Sequence, residues 1–319
     1  MKESGIAGQI SREFRIENED RFKRRSKSIV VGMGGSNLAA GLLRARNPLL
    51  DVVIHRNYGL PPLSEQELRE RLIVVSSYSG TTEEALDAFR EASAHGYERF
   101  VIASGGALLE SARRESIPHI ALPSGMNPRG AIGSALAALA AVLEGNDAVT
   151  ELRAAAKRLD EAACMEQGSK LAERLGGSVP VIYASAKNEG IAYIWKIQLN
   201  ETAKIPAFYN VFPEENHNEF MGFSPQDGAK DLANRFSFVL LADAADDPRI
   251  AKRMDIFEKM YRAAGFPVER VSLTGTTPFE KILSSLAVGD GVSRALARIY
   301  GADPDDSSVI EEFKRRMKE

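Results

Sequence analysis

The sequence predicts an α/β protein built from two doubly wound domains, and three observations carry that reading. The first 150 residues alternate short β-rich runs with helical stretches about five times over, the pattern of a parallel sheet with crossover helices. The runs are nearly continuous apolar segments, as strands buried on both faces of such a sheet should be. Both halves also open with a strand, a Gly/Ser-containing turn and a helix, about 150 residues apart. At 319 residues and 44% hydrophobic content the chain has material for a core in each half. The sequence divides into an N-terminal segment, residues 1–27, a first domain, 28–150, and a second domain, 151–319.

In the first domain the expected strands are Ser28–Gly32, Asp51–His55, Leu72–Ser76, Phe100–Ser104 and Pro118–Leu122. Between them lie helical patterns such as Thr82–Ala94, whose Ala85, Leu86, Ala88 and Phe89 form an apolar side. From Ala131 the chain is Ala/Leu-rich and helical through Leu143, and again from Thr150 to Leu175. A Gly176–Gly177 break leads into a strand at Pro180–Ala184, then a helix over Glu189–Lys204 that Pro206 ends. Ser237–Ala242 and Val268–Leu273 read as strands around a helix at Pro248–Ala264. Helices at Pro278–Tyr300 and Ser307–Lys318 close the chain. The basic stretch Arg21–Lys27 reads as a solvated surface.

Composition excludes several classes. Forty-one basic against 44 acidic side chains give a net charge of −3, which argues against a non-specific nucleic-acid binder. A single cysteine, Cys164, supports neither a disulfide within the chain nor a cysteine-based metal site, so a reducing cytosol is the expected setting. No apolar run approaches the roughly 18 residues of a membrane span. The opening residues are polar and charged, unlike a signal sequence. A soluble cytoplasmic protein is expected.

The turns after the strands carry the chemistry, because ligands of open α/β sheets sit at the carboxyl ends of the strands. The first reads Gly32-Met33-Gly34-Gly35-Ser36-Asn37, where glycines let backbone N–H groups approach an anion at a helix N-terminus. A dinucleotide fingerprint would need Gly or Ala at Asn37 and an acid ending the second strand, which instead ends in His55-Arg56, although an Arg there suits the 2′-phosphate of NADP and leaves that cofactor open at this turn. Ser76-Ser77-Tyr78-Ser79-Gly80-Thr81-Thr82 is sharper, with five Ser/Thr hydroxyls in seven residues between a strand end and a helix start. Such a cluster cradles a phosphate dianion without Lys or metal. A helix cap at Ser79 or Thr81 is the plainer reading, but a cap uses one hydroxyl.

Further on, Asn127-Pro128-Arg129-Gly130 offers a cation after the fifth strand. Arg129 suits an oxyanion developing on a substrate, and equally a salt bridge linking domains. Glu201 shares a helix face with Ile194 and Ile197. A carboxylate on an apolar face is partly desolvated, its pKa raised toward that of a proton carrier; a surface pair with Lys204 accounts for it as well. Of four histidines only His217 stands in a polar cluster, Glu214-Glu215-Asn216-His217-Asn218-Glu219, whose Asn and Glu side chains are placed to orient its ring. No second His or Cys lies at metal-ligand spacing.

At these residues the sequence resembles the bifunctional phosphoglucose/phosphomannose isomerase family, built from two sugar isomerase (SIS) domains. VGMGGSN, SSYSGTTEEA, MNPRGAIG, WKIQLNETAKIPAF and PEENHNEFMGF occur in the family's order. The resemblance implies interconversion of glucose 6-phosphate or mannose 6-phosphate with fructose 6-phosphate, without metal or other cofactor. It implies sugar-phosphate contacts from Gly35, Ser36, Ser77, Ser79 and Thr82, and an enediolate-stabilising role for Arg129. Glu201 matches the base that moves a proton between C1 and C2. His217 matches the histidine that assists ring opening across a homodimer interface. Lys314 is a better match than Lys318 for a lysine of the last helix. Ser307 stands where the family commonly has Thr, a position that accommodates both epimers at C2, and the segment before Ser28 is short for the family. The resemblance thus implies a place in glycolysis and gluconeogenesis. Two other classes compete: a sugar-phosphate sensor without turnover, which would need no base, and a nucleotide-dependent oxidoreductase, which Asn37 disfavours.

Overall fold

The structure is a computed structural model and describes residues 5–223, 229–317 and 319. The Lys318 end of the last predicted helix and the first four residues lie outside the described residues. The chain forms two compact units, one reaching to Leu159 and including Gly275–Leu283, the other covering Asp160–Thr274 and Ser284 onward.

The first unit holds a five-stranded parallel sheet of β1 (Lys27–Val31), β2 (Asp51–His55), β3 (Leu72–Ser77), β4 (Arg99–Ala103) and β5 (His119–Ala121). Its order is β2-β1-β3-β4-β5, with Ile29 opposite Ile73 and Val75 opposite Val101. One face of Ile29, Val31, Ile73, Val75, Val101 and Ala103 packs under the helices Glu83–Ala94 and Gly106–Arg114. Val30, Val74 and Phe100, pointing the other way by the strand period, are fully buried on the opposite side. There the helices Gly35–Arg46 and Ile132–Leu143 pack together. Near-continuous apolar strands are what two covered faces require.

The second unit repeats the plan with four parallel strands, β6 (Val179–Ser185), β7 (Phe208–Phe212), β8 (Phe236–Ala242) and β9 (Val268–Ser272), in the order β7-β6-β8-β9. Its core is aromatic: Tyr183, Phe212, Phe238, Phe257, Tyr261 and Phe266 lie between the sheet and the helix Pro248–Ala263. Tyr183 and Phe238 stack at 5.9 Å, and Phe257 meets Tyr183 edge-on at 5.2 Å. Among the described residues no helix is long and apolar enough to cross a membrane.

Three local expectations are corrected. The helical stretch Thr150–Leu175 is two helices, Asn146–Arg158 and Glu161–Leu175, because Asp160 caps the second by accepting the Ala163 N–H at 3.0 Å. The helix begun at Glu189 stops at Glu201, not Lys204; Lys204 turns left-handed at φ +59°. β7 has no counterpart in the sequence reading. It is an edge strand with exposed Phe208 and only Phe212 fully buried, so it carries no continuous apolar run.

Candidate active site

In an open sheet the ligand crevice lies where successive connections leave in opposite directions. In the first unit that point is between β1 and β3, whose carboxyl ends lead into Gly32–Ser36 and Tyr78–Thr82. A Cβ on Gly32 would lie 2.7 Å from the Ser76 carbonyl oxygen, so the two turns touch through backbone. Tyr78 donates its N–H to Ser36 Oγ at 2.9 Å. Gly35 in turn lies against the next loop: its Cβ would meet Pro128 O at 2.9 Å and Arg129 N at 3.2 Å. The structure therefore gathers Gly35, Ser36, Ser77, Ser79, Thr82 and Arg129 into one neighbourhood.

The hydroxyls divide the work. Ser77 is fully buried; its Oγ accepts the Gly80 N–H at 3.1 Å and lies 2.8 Å from Thr82 Oγ1. Ser79 is exposed and accepts from Thr81 N–H and Oγ1 at 3.3 and 3.1 Å. The cap position of the helix Glu83–Ala94 is Thr82, not Ser79 or Thr81, and its side chain makes no cap bond. With that hydroxyl turned to Ser77, no N-cap side chain competes for the helix's first N–H groups, which suit an anion.

Asn37 occupies the place where a dinucleotide fold needs Gly or Ala. It is fully buried, donates to Gly32 O at 2.8 Å and accepts from Arg56 Nε at 3.1 Å. Its amide ties the Gly32 turn to the first turn of the helix Gly35–Arg46 and to Arg56. The Arg129 turn is braced from the N-terminal segment, where Gln9 donates to Gly130 O at 2.6 Å and accepts the Ser134 N–H at 3.2 Å.

Sequence alone does not distinguish Tyr78, yet it joins the loops. Its hydroxyl donates to Pro123 O at 2.8 Å and accepts the Met126 N–H at 3.0 Å, while its carbonyl accepts from Ser104 Oγ at 2.6 Å. One buried side chain thus spans from the hydroxyl cradle to the loop leading into Arg129.

The matching crevice of the second unit, between β6 and β8, is acidic. Asp243 pairs with Lys187 at 3.2 Å, and Asp246 accepts from Ser185 Oγ and Asn188 Nδ2 at 2.7 and 3.2 Å. Burial raises the Asp246 pKa. Carboxylates bonded to their own turn make no phosphate cradle, so the internal echo of the fold does not extend to the ligand.

In this second unit Glu201 ends its helix half-buried, one turn beyond buried Ile197. Upstream, Trp195 Nε1 donates to Ser285 Oγ at 3.0 Å and Gln198 Nε2 to Leu286 O at 3.2 Å, which fixes the helix against Pro278–Tyr300. Lys204 Nζ donates to the Glu201 carbonyl at 2.7 Å and to that of Asp306. This cation caps the helix C-terminus and brings Ser307, exposed at the start of the helix Ser308–Arg316, beside the Glu201 turn. Lys314 is exposed and pairs with Glu311 at 3.0 Å.

His217 is exposed on the turn after β7. The expected orientation of its ring by flanking Asn and Glu is corrected: Asn218 donates to Glu214 at 3.0 Å, Asn216 to Glu215, and Glu219 accepts from Tyr183 and Asn210. The other histidines are engaged, His119 with Ile117 O at 2.8 Å, His55 with Tyr58 O at 3.2 Å, and His95 stacked on Tyr97. Among the described residues the His217 ring has no such partner. Nor does any group of three His, Cys, Asp or Glu there stand ready for a metal.

Comparison with known proteins gives this geometry a family. Residues 165–317 match the model of the bacterial phospho-glucose isomerase C-terminal SIS domain. A bifunctional phosphoglucose/phosphomannose isomerase of Aquifex aeolicus (strain VF5) is 33% identical over 91% of this chain and 90% of its own length. The chain belongs to the bifunctional phosphoglucose/phosphomannose isomerase family. A second member, from Thermoplasma acidophilum, is 30% identical over 96% of this chain and 94% of its own. The crystal structure of a hypothetical protein from Thermus thermophilus shares the fold, with a TM-score of 0.71 at 16% identity over 98% of this chain and 86% of that one.

For a phosphoglucose/phosphomannose isomerase, the Tyr78 bridge carries a prediction. Tyr78→Phe leaves Pro123 O and Met126 N–H without their partner, at a cost of about 1–3 kcal/mol. The cradle keeps its own bonds, so KM should stay within about twofold. A loosened Arg129 loop should lower kcat about tenfold, since misplacement of a positioned group acts on the barrier. Steady-state kinetics on Tyr78→Phe reads this split; a changed KM at unchanged kcat would remove the bridge from the account.

Proposed function

We propose that this chain interconverts glucose 6-phosphate or mannose 6-phosphate with fructose 6-phosphate through an enediolate. The observation that carries the reading is the crevice of the first unit, where Ser36, Ser79, Thr82 and the start of the helix Glu83–Ala94 meet beside the Arg129 turn. It offers hydroxyls and N–H groups to a phosphate and a cation to an oxygen. Ser77 serves by shaping the loop, its hydroxyl being buried in it.

In this reading Glu201 takes the proton from C2 of the open-chain aldose and returns it to C1, while a second proton passes between O1 and O2. Arg129 stabilises the enediolate oxygen, a kind of electrostatic contribution worth about 3–4 kcal/mol. His217 assists ring opening, and its exposed ring suits a site completed by a second copy of the chain, so the active species is a homodimer. Lys314 stands near the end of the chain as a further acid or base, and Ser307 leaves room for either epimer at C2. The setting is cytoplasmic, in keeping with a single cysteine.

Purified protein assayed side by side on both aldose phosphates, with no added metal or cofactor, tests the reading. Turnover of both supports it, whereas tight binding without turnover would favour the sensor. Chains carrying Glu201→Gln and His217→Ala, each inactive alone, should regain about a quarter to a half of wild-type activity when mixed as heterodimers, because one of the two shared sites is then intact. No recovery in mixed dimers would place both residues within one chain's site.

A further inference from the structure

We propose that Glu215 is a positioning residue for His217: its buried side chain anchors the turn that presents the ring. The proposal deepens the reading of His217 given above and rests on it. Glu215 is the one fully buried residue of the turn Glu214–His217, and it points inward where His217 points outward. It interacts electrostatically with Tyr183 and Tyr261 of the aromatic core, where Phe212 packs against Tyr183 at 5.9 Å and Phe257 at 5.8 Å.

The polar groups that reach this spot form a chain. Arg253, on the helix Pro248–Ala263, donates to Asn216 Oδ1 at 3.1 Å, and Asn216 donates to Glu215 Oε1. Among the described residues Glu215 Oε2 is buried with no hydrogen-bond partner, as is the hydroxyl of Tyr261. Glu219 is the second carboxylate of the cluster, and it is fully served: Tyr183 donates to it at 2.6 Å and Asn210 at 2.9 Å. Among the described residues the titratable and charged groups around Glu215 are therefore Glu219, Arg253, Tyr183 and Tyr261.

An ionised carboxylate with an orphan oxygen, set in an aromatic core beside a second carboxylate, is strongly disfavoured. Glu219 has two donors, whereas Glu215 has one and an orphan oxygen, so Glu215 keeps the proton. The same two causes, burial first and Glu219 second, push the Glu215 pKa up to about 8. As a neutral acid it holds the turn down; on ionising it gains reason to leave the core, carrying the adjacent His217 with it.

The sign for stability follows. A folded-state pKa above the unfolded value near 4.5 means the folded protein binds the extra proton, so this group's contribution falls as pH rises from about 5 to 8 and is lost above. Glu215→Gln, which mimics the neutral acid, should remove that slope, and its melting temperature should overtake the wild type's as pH increases. At pH 7 it should keep kcat within about threefold and retain activity at pH 9, where the wild type declines. Glu215→Ala should lower kcat at least tenfold with KM little changed. The NMR signal of the His217 ring, assigned by its loss in His217→Ala, should be a single sharp set in wild type and Glu215→Gln at pH 7 and broadened in Glu215→Ala.

Parallel pH dependences of melting for wild type and Glu215→Gln would overturn the neutral acid. A sharp, unshifted His217 signal in Glu215→Ala would overturn the positioning role. A Glu215→Gln chain that does not fold would do so too. Melting and NMR report on Glu215 even if the protein turns over no sugar phosphate, so failure of this inference and failure of the isomerase reading are distinguishable.

Discussion

Glu201→Gln should abolish isomerisation while leaving sugar-phosphate binding intact. Gln keeps the size of the side chain and nearly the same helix propensity, and Trp195 and Gln198 hold the helix further along its length. What Gln cannot do is accept the C2 proton. Loss of a general base typically costs about 10²–10⁴-fold, and where it is also the only proton carrier the upper end applies. The hydroxyl cradle is built within the first unit, from that unit's own strand ends and turns. Titration calorimetry with fructose 6-phosphate should therefore give an affinity within about threefold of wild type, while coupled assays read no turnover. Residual activity above a tenth of wild type would remove Glu201 from the role of base. Loss of binding together with activity would instead make it a sugar ligand.

How much of this was legible in the sequence depends on how far apart the interacting residues lie. The strands inside the first sheet were readable because they are buried on both faces and so spell out apolar runs, and the edge strand β2, mostly half-exposed, still reads Val-Val-Ile; only the ends moved, as with β3, which runs one residue further to Ser77. β7 was not, because an edge strand with solvent on one side needs no such run. The end of the helix at Glu201 was hidden for another reason. Thr202-Ala203-Lys204 is compatible with a helix, and what stops it is the left-handed Lys204 reaching back to two carbonyls, one of them on Asp306.

The site divides in the same way. The hydroxyl cradle could be read because its residues are contiguous and stand where a strand becomes a helix. The Tyr78 bridge could not, since its partners Pro123 and Met126 lie more than forty positions on. Glu215 sat inside a cluster already noted for His217, but sequence alone does not reveal that one of its acids is buried and that another, Glu219, is occupied by Tyr183 of β6.

Gly80→Ala should be the most damaging change to the cradle, and the reason is steric before it is chemical. Gly80 has φ +67°, a region that costs a side-chain-bearing residue about 1–3 kcal/mol. Its Cβ would also sit 1.8 Å from the Gly105 carbonyl oxygen, where real Cβ atoms essentially never come closer than 3.0 Å. Gly106 is equally committed, since a Cβ there would lie 2.5 Å from Ser79 O. Both surfaces are backbone, so no flexible side chain can give way, and the loops must part by about an ångström. That motion pulls Gly80 N–H from Ser77 Oγ and shifts Ser79 and Thr82 together. Displacement on this scale costs about 10²-fold where a group is positioned for reaction, and here it should appear as a raised KM for the sugar phosphate along with a lower melting temperature. Gly34→Ala is the control, because Gly34 has φ +50° with nothing within 4 Å of its Cβ. It carries the backbone strain without the clash, so its KM should change much less. Equal effects from the two variants would mean that strain alone, and not the contact between the Ser79–Gly80 turn and Gly105, sets the geometry of the phosphate cradle.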